Sequence, residues 1–311
     1  MMQALSSAVA GLDGEQTALN VIGNNIANVN TIGFKSSAVD FTTLLSQLLS
    51  SGSAPVIGAS GPTLGGTNPA AVGLGVGIGT ITQNMAQGSL QQTGNPLDLA
   101  IQGNGFLTLQ STQGTVYSRD GGLEIDSNGD LVQASTGSLV EGYQPTITSS
   151  GTTPPTYTIA AYTAPTFPTT TAPKPIVIPQ AITVTGGTGT YNLASVAIGS
   201  DGTITATYQN SSGASSQAVL GQIAVATVPN ENGMVPVAGN AYVIGPNSGT
   251  ASFTGAGTNG AGSFAVGSLE QSNVDISQEL TNMIVAERSY QVDAKVITTA
   301  DDMLQSLIQV Q

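Results

Sequence analysis

The stretch SLEQSNVDISQELTNMIVAERSYQVDAKVITTADDMLQSLIQVQ, residues 268–311, decides the fold, because the rest of the chain is organised around it. After Gly267 both Gly and Pro vanish, and the apolar residues change period. Ile276, Leu280, Met283, Tyr290, Ala294, Ile297, Leu304 and Ile308 fall on one register of threes and fours, which Ile284, Val292, Val296, Met303 and Leu307 widen. That spacing predicts a long amphipathic helix, about 50–55 Å at 1.5 Å rise per residue. Ser272 followed by Asp275 reads as its capping-box start. Glu287 and Asp301 interrupt the register, so the seam is imperfect.

Residues 3–30 carry a second stripe: Leu5, Ala8, Leu12, Leu19, Ile22, Ile26 and Val29, with Glu15 filling one register position. Two such segments at opposite ends of a chain can cover each other, so that everything between them is inserted. A two-helix pair still leaves apolar surface on its outer side, and contacts with further copies are expected there. The residues expected at that assembly interface are Leu5, Leu12, Leu19, Ile22, Ile26, Ile276, Leu280, Met283, Ile297, Leu304 and Ile308.

Between the helices the pattern is that of strands. From Val76 the period becomes two, and Leu97, Leu99 and Ile101 alternate with polar neighbours as a half-buried strand does. Strand-like runs continue at Phe106 to Leu109, Leu123 to Val132, Ile176 to Ile178, Thr203 to Tyr208 and Leu220 to Val228, with turns at Gly103-Asn-Gly and Asp201-Gly202. The fold class is therefore mostly β with terminal α-helices. The expected organisation is a terminal helical domain from 1–33 and 268–311 and an extended connector over 34–75, which opens with a short amphipathic piece, Val39 to Leu49. A β-rich domain from 76–143 and 176–267 and a small Thr/Pro-rich outer insertion or loop over 144–175 complete it.

Composition narrows the function. The chain has no Cys, His or Trp, and only Lys35, Arg119, Lys174, Arg288 and Lys295 are basic against eighteen acidic residues, a net charge of −13. Phosphate binding needs clustered Lys and Arg, so a nucleic-acid partner is disfavoured. The usual metal ligands, general base and thiol nucleophile are missing, so neither a metal nor a cofactor is expected. No run approaches the ~20 apolar residues of a membrane span. Residues 1–16 lack a basic region followed by a continuous apolar one, so no cleavable signal peptide is read there. Few charges and forty Gly suit a surface buried by association.

Three local motifs invite chemistry and are better read as structure. Gly255 to Gly260 satisfies GxGxxG but lacks the strand before and helix after that a dinucleotide site needs. Asp126 to Asp130 hints at a calcium loop, without the distal Glu, and reads as a hairpin turn. Asp301 and Asp302 are adjacent on a helix, so their carboxylates diverge.

One resemblance is specific. Val21 to Lys35, VIGNNIANVNTIGFK, is similar to the N-terminal signature of the bacterial flagellar axial proteins of rod, hook and hook-associated structures. QGSLQQTGNPLDLAIQGNGF (87–106), Tyr117 to Val132, Leu220 to Asn230 and the segments Gly267 to Asp275 and Met283 to Leu304 resemble the same family in the same order. The resemblance implies a non-enzymatic subunit of a homopolymeric helical tube. It implies the flagellar hook first and the distal rod as the alternative, outside the cell after export by the flagellar type III machinery. The distal rod, hook cap and hook–filament junction proteins would be its neighbours. A Gly/Thr-rich surface adhesin is the reading of a different class, which paired terminal stripes argue against; a carboxylate-only hydrolase would need a convergent site.

Overall fold

The computed structural model describes residues 2–54, 65–145, 147–149, 157–159, 172–183 and 190–309. Most of the Thr/Pro-rich stretch, and part of the Gly/Ser/Pro-rich run before it, lie outside the described residues. The chain is mostly β with one helix near each end, α1 (Met2–Ala27) and α2 (Ile276–Gln309), and the β structure is inserted between them. It forms two compact units, one from Met1–Ala27, Ser36–Asn84 and Val274–Gln311, the other from Asn28–Lys35 and Met85–Asn273.

In the first unit α1 and α2 run antiparallel: Gly11 lies against Asp293 and Asn25 bonds Glu279. The same register sets Ala18 opposite Ala286, and both are buried. Such small residues let two helix backbones approach closely. The start of α2 differs from the expected capping box. Asp275 is the cap, its Oδ1 accepting from Ser277 N (2.8 Å) and Gln278 N (3.2 Å). Ser272 lies upstream of it, just past the strand Ser268–Glu270.

Over residues 34–75, where an extended connector is expected, the chain pairs with itself. Strand Ser37–Thr43 pairs antiparallel with Val76–Gln83, and Ser46–Ser50 pairs with Ala70–Gly73. The pairing runs along α1, where Phe41 sits on Gly14 and Gly75 on Ser7 and Ala10. Backbone hydrogen bonding explains the difference, since a segment beside a helix satisfies its N–H and C=O groups best by pairing. That ladder holds Leu48 and Leu49 extended, with Leu44 and Leu45 in the link between the two strands, where an amphipathic piece was expected; all four are exposed.

The second unit is built on a large, mainly antiparallel sheet. Beyond Ile147–Ser149, Tyr157–Ile159 and Ala181–Thr183 at one edge, where the last two pair parallel, its strands lie in the order Thr190–Ile198, Thr203–Gln209, Ser215–Ile223, Leu139–Tyr143, Phe106–Ser111, Gly114–Ser118, Ala241–Val243, Val235–Val237. Alternation along Phe106–Ser111 divides the interior. Leu107 and Leu109 join Leu99, Ile101, Ile176, Ile178 and Ile204, whereas Phe106 joins Tyr117, Met234 and Tyr242. Two short pairs close the unit, Leu99–Gln102 with Ser263–Val266 and Leu90–Gln92 with Ser268–Glu270.

Candidate assembly site

The helical unit carries apolar surface in a form the periodicity alone did not specify. α2 places Glu279 and Asp293 against α1, and the buried or half-buried side of α2 continues through Met283, Ala286, Ala294, Ile297 and Ala300, so only part of the apolar stripe is covered. Of the residues expected at an assembly interface, Leu5, Leu12, Leu19, Ile22, Ile26, Met283 and Ile297 are half-buried. Ile276, Leu280, Leu304 and Ile308 are exposed, Ile308 at 74 %. Ile284, Val285, Val292 and Met303 are exposed as well, the first three at 59–62 %. A monomeric helix turns such side chains inward; here they face outward along most of α2. Phe41, Leu44, Leu45, Leu48, Leu49, Ile78 and Ile81 add exposed apolar surface on the paired strands of the same unit.

A recess of about 550 Å³ on this unit is lined by Glu15, Ile284, Val285, Arg288, Ser289, Val292 and Asp293. Burial first, and the charge of Asp293 second, push the Glu15 carboxyl above the usual carboxylate range. The two acids meet here because Glu15 lies one turn along α1 from Gly11, whose missing side chain leaves room for the Asp293 carboxylate.

The second unit holds a buried charge cluster that sequence reasoning missed. Lys35 Nζ donates to Glu270 Oε1 at 2.6 Å and to Ala86 O at 2.9 Å. Gly88 N donates to the same Oε1 at 2.9 Å, and Arg119 Nη1 to Oε2 at 3.4 Å. None of the three charged side chains is more than 3 % exposed. The Arg119 guanidinium also lies 5.1 Å from the centre of the Phe106 ring, which meets Tyr242 edge-on. Burial draws the Lys35 ammonium below the usual lysine range, and the hydrogen bond and charge of Glu270 oppose that shift. Gly33 takes φ +67°, and its N–H donates to Glu270 O at 2.7 Å. Four of the five basic residues, Lys35 and Arg119 among them, lie inside runs that carry the family resemblance, so nothing local singled out this pair.

The motifs with possible chemistry resolve into turns and helix surface. Asp126 Oδ1 accepts from Asn128 N and Asp130 N, both at 2.8 Å, and caps the hairpin between Leu123–Ile125 and Leu131–Gln133. Gly255 to Gly260 links strand Ser252–Thr254 to Ser263–Val266 through turn bonds, not a strand to a helix. Asp301 and Asp302 are both exposed on α2. Among the described residues no three metal-binding side chains converge, and no helix is long and apolar enough to cross a membrane. The arrangement offers contact surface and a rigid internal ion cluster.

Comparison with known proteins places these features in a family. Residues 5–35 match the family described as flagella basal body rod protein, 100–206 the flagellar hook protein FlgE/F/G D1 domain, and 265–310 the flagellar basal body rod FlgEFG protein C-terminal. The flagellar basal-body rod protein FlgG of Bacillus subtilis is 37 % identical over 309 residues, covering 99 % of this chain and 98 % of that one. FlgG of Agrobacterium fabrum is 33 % identical over 97 % of both chains. The flagellar hook protein FlgE of Borreliella burgdorferi is 43 % identical, over 145 residues that make up 46 % of this chain and 31 % of that one. With helices at both ends, an inserted β region and co-extensive relatives, the chain belongs to the flagellar axial family of rod and hook proteins.

Proposed function

We propose that this protein is a rod-type subunit of the flagellar axis, a structural element that transmits rotation and catalyses nothing. The observation that carries the reading is co-extension: relatives named as rod proteins align with the chain from end to end, with no large segment left over on either side. The exposed apolar side chains of α2, from Ile276 to Ile308, would be buried between copies, in a heterologous contact that repeats without closing and so builds a tube. Leu5, Leu12, Leu19, Ile22 and Ile26 of α1, with Met283 and Ile297, would complete that contact. Export by the flagellar type III machinery and end-to-end contact with adjoining axial proteins follow from the reading; no cofactor or metal enters it.

The hook is the second reading, supported by the higher local identity of 43 % and 45 % with two hook proteins. It would make the protein a bending joint outside the cell, next to the hook cap and hook–filament junction proteins. Immunogold electron microscopy of isolated hook–basal bodies, with antibody to residues 85–267, separates the two. Label on the straight rod is the expected result; label along the curved external segment would make it a hook subunit. Absence of label from the whole organelle would overturn both.

A further inference from the structure

Three segments far apart in sequence run at the margins of the β unit: residues 28–35, 85–92 and 268–273. Each is followed or preceded by chain that belongs to the helical unit. All three meet at one carboxylate. Glu270 Oε1 accepts from Lys35 Nζ (2.6 Å) and Gly88 N (2.9 Å), and Lys35 in turn donates to Ala86 O (2.9 Å). Main-chain bonds close the same knot: Gly33 N to Glu270 O (2.7 Å) and Gln271 N to Ser89 O (2.8 Å). Arg119 reaches the far oxygen of Glu270 at 3.4 Å from the sheet, the longest contact of the set.

A buried ion pair adds little net stability over apolar side chains of the same volume, because desolvation offsets the attraction. What it adds is geometry. A carboxylate takes its donors along a few directions and at one distance, whereas packed methyl groups tolerate sliding. Burial works against charge on Lys35, so the ammonium depends on Glu270 being in place.

We propose that Glu270, with Lys35, is a positioning residue for assembly: a clasp that holds the three marginal segments of the β unit, where the chain enters and leaves it, at one mutual spacing. Every copy then presents its β unit with the same spacing of these segments. This rests on the polymer-subunit reading, since a helical polymer requires each copy to present its faces identically. The Arg119 side chain has a different part: its one longer bond ties the carboxylate to the sheet and links no second segment to it.

Hydrogen–deuterium exchange on the purified full chain, together with incorporation of the same variants into basal bodies, tests the clasp. In Glu270→Gln and in Lys35→Met, exchange should rise at least tenfold over 28–35, 85–89 and 268–273. Strands 106–111 and 139–143 should stay as protected as in the wild type, and incorporation should fall at least tenfold. Arg119→Met should leave the marginal segments within threefold of wild type and incorporate normally. Lys35→Met leaves Glu270 its Arg119 and Gly88 bonds, so it keeps the test open should Glu270→Gln not fold. A uniform rise across marginal segments and core in all three variants, or unchanged marginal segments in Lys35→Met, would overturn the clasp. Failure of the wild type to incorporate would overturn the assembly reading; normal incorporation of Lys35→Met beside an incorporating wild type would overturn the clasp alone.

Discussion

The Asn25 side chain stands in for a strand neighbour of Ser37: its Nδ2 donates to Ser37 O at 2.8 Å and its Oδ1 accepts from Ser37 N at 2.9 Å. Ser37 pairs with Gln83 on one side, and the amide of Asn25 satisfies the other edge of the strand. The same Nδ2 reaches Glu279 Oε1 on α2 at 3.1 Å, so one buried amide ties α1, the strand and α2 together. Asn25→Ala leaves those groups unpaired and should cost about 1–3 kcal/mol. Thermal melting of the helical signal at 222 nm should shift down by about 2–4 °C for each kcal/mol. An unchanged melt would remove Asn25 from this role.

Gly33 and Gly94 separate backbone strain from crowding. Both have positive φ, +67° and +77°. A Cβ on Gly33 would lie 2.9 Å from Arg119 C and from Asp120 N, whereas nothing lies within 4 Å of one on Gly94. Gly94→Ala should therefore cost about 1 kcal/mol, the strain of a left-handed residue alone. Gly33→Ala must also displace main chain and should cost about 3 kcal/mol or more. Denaturant unfolding of the β unit, followed by tyrosine fluorescence, measures both; equal losses would mean that the neighbouring main chain gives way freely.

Glu15 gives the helical unit a dependence on pH. Its carboxyl is raised in the fold, by burial and then by Asp293, so its contribution to stability is complete below the unfolded carboxylate range and is lost as pH rises through the raised value. Between about pH 4 and pH 7 the wild-type helical unit should therefore lose stability relative to Glu15→Gln, which carries no such proton. Melting both proteins at the two pH values decides it. Parallel curves would place Glu15 outside the helix contact.

The outward apolar residues of α2 separate folding from assembly. Ile284→Lys and Val292→Lys alter side chains that are 59 % and 62 % exposed, so each should change monomer stability by no more than about 0.5 kcal/mol. Between copies the same ammonium would have to leave water, and incorporation into basal bodies should fall by more than tenfold. Normal incorporation would move the contact to another face.

The existence of the two helices was legible because each carries a three–four apolar period over many turns, broken only at Glu15, Glu287 and Asp301, and the expected span 3–30 differs from α1 by a few residues at its C-terminal end. The strand-rich middle was legible for the same reason at period two. The pairing of residues 36–84 was not. Gly at 73, 75, 77 and 79 blanks alternate positions of the returning strand, and its partners lie tens of residues away. The helix seam was not legible either. Periodicity reports which face is apolar, not what covers it: Met283 and Ile297 are half-buried, whereas Ile276, Leu280, Leu304 and Ile308 of the same register stay exposed.

The sequence by itself determined the fold class, the place of the terminal helices and the family. These follow from local period and local motif, which need no knowledge of distant neighbours. The tertiary structure alone decided that Lys35 meets Glu270, 235 residues away, and that Arg119 meets it across 151. It also decided which side of α2 faces outward. Contacts of that range depend on how the whole sheet closes and on where three separate segments lie at its margin, and no window of sequence contains them.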